Sequence, residues 1–311
     1  MKRFAVHAVR SLASVALLSG MAFAQDIKHP DKPLLWKVEG KALEKPSYLF
    51  GTIHIGSEEV TNLHPEARKA FDSADAVYTE VPMDAASQLA AAAMMVRKDG
   101  RMLAESLGRA LAARLDEELK AINLGLDSAA LQSMPTWVVG LILPLLPDQL
   151  AGREPLDKVL WDEARKNGKK TGALETTAGQ LGIFAGLAEK EQVLLLSETL
   201  RMLGKDRKEG RNSVAQLTAA YVSGDVEAVE AEMERSMGEM KEGDHKELAE
   251  KFIKRVLSDR DVTMSASIVE ILGKEPGSVH FFAAGVGHFC SKTSIRSHLE
   301  KAGYKVTRIG G

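Results

Sequence analysis

Two glycine–histidine motifs near opposite ends of the chain constrain its fold most. Residues 51–54 (GTIH) follow the apolar run 47–50, and residues 285–288 (GVGH) follow the apolar run 280–284. A glycine at the end of a strand adopts backbone conformations closed to other residues and leaves room for a close neighbour. Ligands of open α/β sheets bind outside the carboxyl ends of the strands. The motifs therefore predict two histidines at such an edge, and the competing interpretation is two histidines that merely end strands.

Two glutamates lie at the ends of further predicted strands. Residues 76–81 (AVYTEV) predict a strand with Glu80 at its end, and residues 170–174 predict a short strand that leads into Glu175. The order strand, helix, strand favours parallel pairing of the first-motif strand with the 76–81 strand through a right-handed crossover. That pairing would place Glu80 near His54.

The remaining pattern is a mixture of short strands and many helices. Residues 34–38 and 48–53 predict a hairpin into the first motif, and residues 305–309 predict a last strand. Leucines at every fourth position over 102–122 predict an amphipathic helix. Further helices are predicted over 85–95, 157–166 and 294–302, and through most of 181–272.

The predicted fold class is mixed α/β. A central, mostly parallel sheet carries the G-x-x-H motifs at its strand ends, is flanked by helices and contains large helical insertions. One domain is expected over residues 25–311. Its sheet core comes from about 30–84, 155–178 and 275–311, and its helical insertions from about 85–154 and 180–274.

Residues 1–24 have the pattern of a cleavable export leader. Lys2 and Arg3 are basic, residues 11–20 form an apolar run, and Ala22-Phe23-Ala24 fits the small-x-small cleavage pattern. An uncleaved anchor helix is the alternative, but the apolar run is too short to span a bilayer comfortably. We expect cleavage after Ala24, a periplasmic or secreted protein, and no stable transmembrane segment in the mature chain.

Charge and cysteine content exclude two classes of protein. The formal net charge is −2 and no basic run would follow a phosphate backbone, so nucleic acid is not an expected partner. Cys290 is the single cysteine, which excludes an intramolecular disulfide. Its position close to His288 invites a nucleophile interpretation, but a small buried residue is the favoured one because cysteine commonly serves that way.

The candidate site consists of His54, Glu80, Glu175 and His288. Imidazole and carboxylate together suit a divalent metal such as zinc, manganese or cobalt, and two histidines with one carboxylate leave positions open for water and substrate. A second carboxylate can then act as a general base. The same four residues also support metal-free chemistry in which a histidine activates water, and their spacing does not decide between the two.

Several longer motifs surround these residues. They are LLWKVEG, YLFGTIHIG, VYTEV, the LD at 156–157, the ALET at 173–176, the DRD at 259–261, FFAAGVGHF and LEKAGYKVTRI. In their order and spacing the chain resembles the TraB/PrgY/GumN family, which is related to the Tiki proteases of animals and more remotely to the erythromycin-esterase and ChaN-like group. The resemblance covers almost all of the chain after residue 24.

The resemblance implies a mixed α/β fold with helical insertions and, by analogy with the Tiki branch, a metal-dependent peptidase. His54, His288 and Glu80 are then the expected metal ligands, and manganese, cobalt or zinc the expected ion. Glu80, Glu175 and Arg260 are the expected catalytic or supporting residues, and Gly51 and Gly285 are structural members of the motifs.

The chain departs from the family pattern in two places. The family usually has Arg-Asn where this chain has Arg260-Asp261, and Leu-Pro-Gly where it has Phe289-Cys290-Ser291. Both histidines are retained, so the departures bear on how substrate is held.

Three functions follow from these residues. The first is a metal-dependent hydrolase of peptides, in which Arg260 binds a substrate carboxylate or steadies the acids of the site. The second is a metal-free hydrolase of esters or lactones that uses histidine as a general base. The third is a non-enzymatic periplasmic protein that binds a peptide or a haem-like ligand. A peptide or small molecule is thus the expected partner.

Overall fold

The computed structural model describes residues 28–40, 42–242, 245–291 and 293–310. The predicted leader over residues 1–24 lies outside the described residues. Six described strands form one sheet: β1 Leu35–Glu39, β2 Ser47–Thr52, β3 Ala76–Thr79, β4 Lys170–Ala173, β5 His280–Gly285 and β6 Lys305–Ile309.

The sheet has the order β4-β3-β5-β2-β1-β6. Strands β4, β3, β5 and β2 pair in parallel, whereas β1 is antiparallel to both β2 and β6. The predicted hairpin is present, with Leu35 opposite Phe50. The mostly parallel sheet expected from the sequence is confirmed.

The expected direct pairing of β2 with β3 is wrong, because β5 lies between them. The residues of β5 from His280 to Ala284 are all buried, so this strand needs cover on both faces. A strand of that composition is stable in the middle of a sheet. Its position brings the second G-x-x-H motif between the first motif and Glu80.

Helices cover the faces of the sheet and form the insertions. They are α1 Glu58–Thr61, α2 Pro65–Ser73, α3 Ala85–Met94, α4 Leu103–Ile122, α5 Thr136–Ile142, α6 Leu146–Leu150, α7 Leu156–Lys166, α8 Thr177–Ala185, α9 Glu189–Glu209, α10 Ser213–Ser223, α11 Val226–Lys241, α12 Lys246–Val256, α13 Ser258–Lys274, α14 Gly287–Cys290 and α15 Ile295–Lys301. Short 3-10 turns lie at Ser128–Leu131 and Leu143–Leu145. Among the described helices, none is long and apolar enough to cross a membrane.

Two apolar cores support this arrangement. The larger core surrounds the sheet and contains Phe71, Phe281 and Phe282, each fully buried. A second core lies within the helical insertions, where Leu115 of α4 and Leu196 of α9 are buried together. The predicted leucine stripe of α4 faces this second core, and the helix bends at Gly108, whose φ of 68° interrupts the helical backbone. The insertions therefore contain a packed core of their own.

Candidate active site

The carboxyl ends of four parallel strands meet at one edge of the sheet. His54 lies two residues after β2, Glu80 one residue after β3 and Glu175 two residues after β4, while His288 lies in α14 just after β5. Parallel strands end on the same side of a sheet, so all four predicted side chains lie at one edge.

Arg260, in the first turn of α13, is the centre of the contacts at this edge. Its Nη2 donates to Oε2 of Glu80 and to Oε1 of Glu175, both at 2.5 Å, and its Nε donates to the same Glu175 oxygen at 2.8 Å. Its Nη1 lies 3.2 Å from Nε2 of His288. Burial by itself lowers the pKa of Arg260, but the charges of Glu80 and Glu175 outweigh it and raise that pKa.

Glu80 is held at both of its oxygens. Oε1 accepts from the backbone N–H of Gly285 at 2.7 Å, and Oε2 accepts from Nε2 of Gln180 at 2.8 Å as well as from Arg260. Burial by itself raises the pKa of Glu80, whereas His288 and Arg260 lower it, and the net pKa lies well below the ordinary range. Glu80 is therefore ionised at neutral pH.

The two motif glycines admit close neighbours. A Cβ on Gly285 would lie 3.1 Å from Oε1 of Glu80, so a side chain there would crowd the carboxylate. A Cβ on Gly51 would lie 3.0 Å from Cγ2 of Val286, which belongs to the other motif. The absence of side chains at these two positions lets the motifs and Glu80 pack against one another.

His288 is buried between an acid and the arginine. Its Nδ1 lies 2.7 Å from Oδ1 of Asp261, which places the Nδ1 proton toward that carboxylate. Its Nε2 lies 3.2 Å from Nη1 of Arg260 and 3.7 Å from Oε1 of Glu80. Nε2 can therefore accept from the guanidinium when neutral, or face Glu80 when protonated.

His54 is also paired with an aspartate, but its side chain is exposed to solvent. Its Nδ1 lies 3.0 Å from Oδ2 of Asp157, while Oδ1 of Asp157 accepts from the hydroxyl of Thr52 at 2.6 Å. The side chain of Asp157 is 2% exposed and that of His54 is 56% exposed. Asp157 raises the pKa of His54 to about 9, with a further increase from Glu80 and a decrease from Arg260. His54 is therefore close enough to Glu80 and Arg260 for their charges to shift its pKa.

We expect Asp157→Asn to lower the pKa of His54 from about 9 toward its ordinary value of 6.5. The folded pKa is raised, so this pair contributes stability that is complete below about pH 6.5 and is lost as the pH rises through 9. Asparagine can still accept from the Thr52 hydroxyl, so that contact is kept. An NMR titration of the imidazole nitrogens measures the shift.

His64 is the internal control for that titration. It lies at the start of α2, where burial, and after it His29, lower its pKa, and Asp157 makes no contribution there. The His64 titration should not move in Asp157→Asn. An unchanged His54 pKa in the variant would contradict the assignment of Asp157 as its cause.

Asp157 and Asp261 are the site residues that sequence reasoning missed. They lie in the first turns of α7 and α13 and contact the Nδ1 atoms of the two motif histidines. Both stand in motifs visible in the sequence, the LD at 156–157 and the DRD at 259–261. Their partners were not predictable, because each pair joins segments far apart in the chain.

Cys290 takes no part in these contacts. It is buried after the second motif, and burial raises the pKa of its thiol to about 12. A thiol with that pKa stays protonated at neutral pH and is a poor nucleophile. Cys290 is buried, as the favoured interpretation predicts.

The chemistry of the donors fits a divalent metal ion, although their arrangement places Arg260 among them. A metal-ligating histidine typically donates its other ring N–H to a carboxylate, as both motif histidines do here. Arg260 contacts Glu80 and His288 directly. Across residues 28–40, 42–242, 245–291 and 293–310, no three His, Cys, Asp or Glu side chains are placed to hold a metal together.

Fold and site together define an α/β protein with histidines and carboxylates gathered at the carboxyl edge of its sheet. The sequence model of the TraB/PrgY/gumN family matches residues 34–308, and the chain belongs to that family. The predicted resemblance is confirmed.

Curated relatives share low identity with the chain over most of its length. It is 26% identical to Metalloprotease TIKI2 of Danio rerio and 23% identical to Metalloprotease TIKI1 of Homo sapiens, with 88% of this chain aligned in each case. These alignments cover 60% and 61% of the relatives, so the chain spans about three fifths of their length. An uncharacterized protein of Treponema pallidum is 23% identical over 93% of this chain and 86% of its own length. No solved structure matches.

Proposed function

We propose that this chain is a peptidase that depends on a divalent metal ion, with manganese, cobalt or zinc as the candidates. Relatives named metalloproteases align with 88% of the chain. The observation that carries the proposal is that each G-x-x-H histidine has its Nδ1 against a buried aspartate. That contact orients a ring so that its Nε2 can bind a metal ion.

His54, His288 and Glu80 would hold the ion. When bound, it would supply a Lewis acid and a water molecule of lowered pKa. Asp157 and Asp261 orient the two rings, and Gly285 and Gln180 hold the carboxylate of Glu80. Nε2 of His288 is available as a ligand only while Arg260 does not donate to it.

Glu175 and Arg260 have supporting roles in this proposal. Arg260 has its Nε and Nη2 donors on Glu80 and Glu175, which supports a role in steadying the site acids rather than in binding substrate. Glu175 is bound through Oε1, and it also lines a cleft of about 730 Å³ beside the site. From there it can serve as a general base or hold a neighbouring group in place.

Metal content tests the proposal. We expect near-stoichiometric manganese, cobalt or zinc in the mature protein purified without a histidine tag, and none in His54→Ala/His288→Ala. His54→Ala alone is a second variant, because its side chain is 56% exposed and its loss leaves the buried core intact. A double variant of His64 and His245, which lie at helix starts outside the site, controls for the loss of two histidines.

The same preparation distinguishes the three functions. Hydrolysis in a fluorogenic peptide library that requires added metal supports the peptidase. Equal, negligible metal in parent and variants after reconstitution contradicts it, and ester or lactone hydrolysis that survives chelation supports the metal-free hydrolase. Stoichiometric binding of a peptide or haem without turnover supports the binding protein. A periplasmic or secreted location, expected from residues 1–24, stays a prediction.

A further inference from the structure

A cleft of about 730 Å³ adjoins the candidate active site and shares Glu175 and Arg260 with it. It lies between α8 on one side and the junction of α12 with α13 on the other. Its volume is in the range of pockets that bind small molecules and short peptide segments. A ligand in this cleft would therefore lie directly beside the predicted catalytic groups.

The charged residues that line the cleft are paired, with one exception. Arg260 is bound to Glu80 and Glu175, and Asp259 forms an ion pair with Lys254. Arg255 also lines the cleft and is half-buried, and its guanidinium makes no hydrogen bond or ion pair to any described residue. The cleft thus carries one positive charge without an anionic partner in the described part of the chain.

The position of Arg255 at the end of a helix explains why a positive charge is stable there. It does not explain what the guanidinium binds. It lies in the last turn of α12, where a positive charge interacts favourably with the free carbonyl groups of the helix. That interaction leaves the planar fork of N–H donors without a carboxylate. An arginine fork matches a carboxylate through two parallel hydrogen bonds, which makes it selective for that group.

One wall of the cleft, formed by the end of β4 and by α8, is lined mostly by apolar residues and glycines. Ala173, Leu174 and Ile183 line it, together with Gly179 and Gly182 of α8. A Cβ on Gly182 would meet no atom within 4 Å, so space is open in front of that helix. Such a wall admits the main chain of an extended peptide with small or apolar side chains.

We propose that this cleft binds peptides that carry a carboxylate, and that Arg255 is the specificity-determining residue that receives it. The proposal rests on the peptidase function proposed above and names its substrate class. The carboxylate belongs either to an acidic side chain or to the free C-terminus of the peptide. Both present the same group to the guanidinium, and the experiment below separates them.

Isothermal titration calorimetry of the whole mature protein with four N-acetylated tetrapeptides tests the proposal. One pair, of sequence Ala-Leu-Ala-Ala, ends in a carboxylate or in an amide. The other pair ends in an amide and carries Glu or Gln at its second position. We expect the charged member of one pair to bind about 10- to 100-fold more tightly than its neutral partner, as a charge-assisted pair contributes.

Arg255→Gln should remove that preference and leave the affinity of the neutral peptides within about threefold. Arg255→Lys keeps the charge and loses the fork, so it should retain part of the preference. Arg109→Gln, an exposed arginine of α4, is the matched control and should change nothing. Gly182→Leu should weaken all four peptides, because its side chain would fill the open space of the cleft.

Four results would overturn the proposal: equal affinity within both pairs, no binding of any peptide, a preference that survives Arg255→Gln, or binding unaffected by Gly182→Leu. A protein that hydrolyses peptides without a carboxylate preference refutes this inference and leaves the peptidase standing. A protein that binds peptides through Arg255 but holds no metal and hydrolyses nothing refutes the peptidase and leaves the carboxylate-binding cleft standing.

Discussion

We expect Arg260→Met to lower the free energy of unfolding by about 3–5 kcal/mol, which is the usual cost of removing one partner from a buried ion pair. Methionine replaces most of the aliphatic stem of arginine, so the loss comes mainly from leaving Glu80 and Glu175 without their common cation. Both carboxylates are at most 7% exposed and have little access to water. Urea denaturation at pH 7 measures the change, and in a domain with a total stability of about 5–15 kcal/mol it is a large part of the whole.

Two variants make that measurement specific. Arg109→Met removes an exposed arginine that has no ion pair among the described residues, and it should change the stability by less than about 0.5 kcal/mol. Adding Glu80→Gln and Glu175→Gln to Arg260→Met should restore part of the loss, because the uncompensated charges are then gone. A loss no larger than that of Arg109→Met would contradict the central role of Arg260.

The charges of His288 and Arg260 lower the pKa of Glu80, and this shift sets how the site responds to acid. The folded pKa of Glu80 is lowered from its ordinary value of 4.5, so its contribution to stability is complete above that pH. The contribution is lost only as the pH falls through the lowered folded value. His54 has the opposite sign, because its folded pKa is raised and its contribution fades as the pH rises through 9. The two groups together favour stability at slightly acidic to neutral pH.

Local patterns explain why much of this site was predictable. A short apolar run followed by glycine and histidine is visible within eight residues, and so is a run that ends in Glu80 or Glu175. The parallel sheet then brings such strand ends to one edge. Strand lengths, the α4 stripe and the mixed α/β class follow from the same short-range signals.

The remaining features depend on contacts between distant segments. Nothing within β2 or β3 shows that β5, some 200 residues later, separates them, since its placement follows from burial on both faces. Asp157 reaches His54 across 103 positions of the chain, and Arg260 reaches Glu80 across 180. The sequence pattern marks both as motif members and cannot tell which partner each one has.

The largest expected effect on activity is that of His54→Ala, which should lower kcat/KM for a hydrolysed peptide by about 10²- to 10⁴-fold, the usual range for a positioned imidazole. The His54 ring must be neutral at Nε2 to bind a metal ion or to accept a proton, so metal uptake by the metal-free parent, and activity with it, should rise with pH toward the His54 pKa of about 9. Steady-state kinetics over pH 5–10, on the peptide found in the library screen, measure both effects.

Asp157→Asn separates orientation of the ring from its presence. It should lower kcat/KM by about 10- to 100-fold, the usual effect of removing the hydrogen-bonded partner of a functional histidine. It should also move the rising limb of the pH profile to lower pH, because the pKa of His54 falls when the carboxylate is removed. A merely structural role for Asp157 would reduce the amount of active protein without moving that limb. His245→Ala, at the start of α12, controls for loss of a histidine and should keep the parent's rate and profile. Full activity in His54→Ala would show that the exposed ring of the first motif takes no part in hydrolysis.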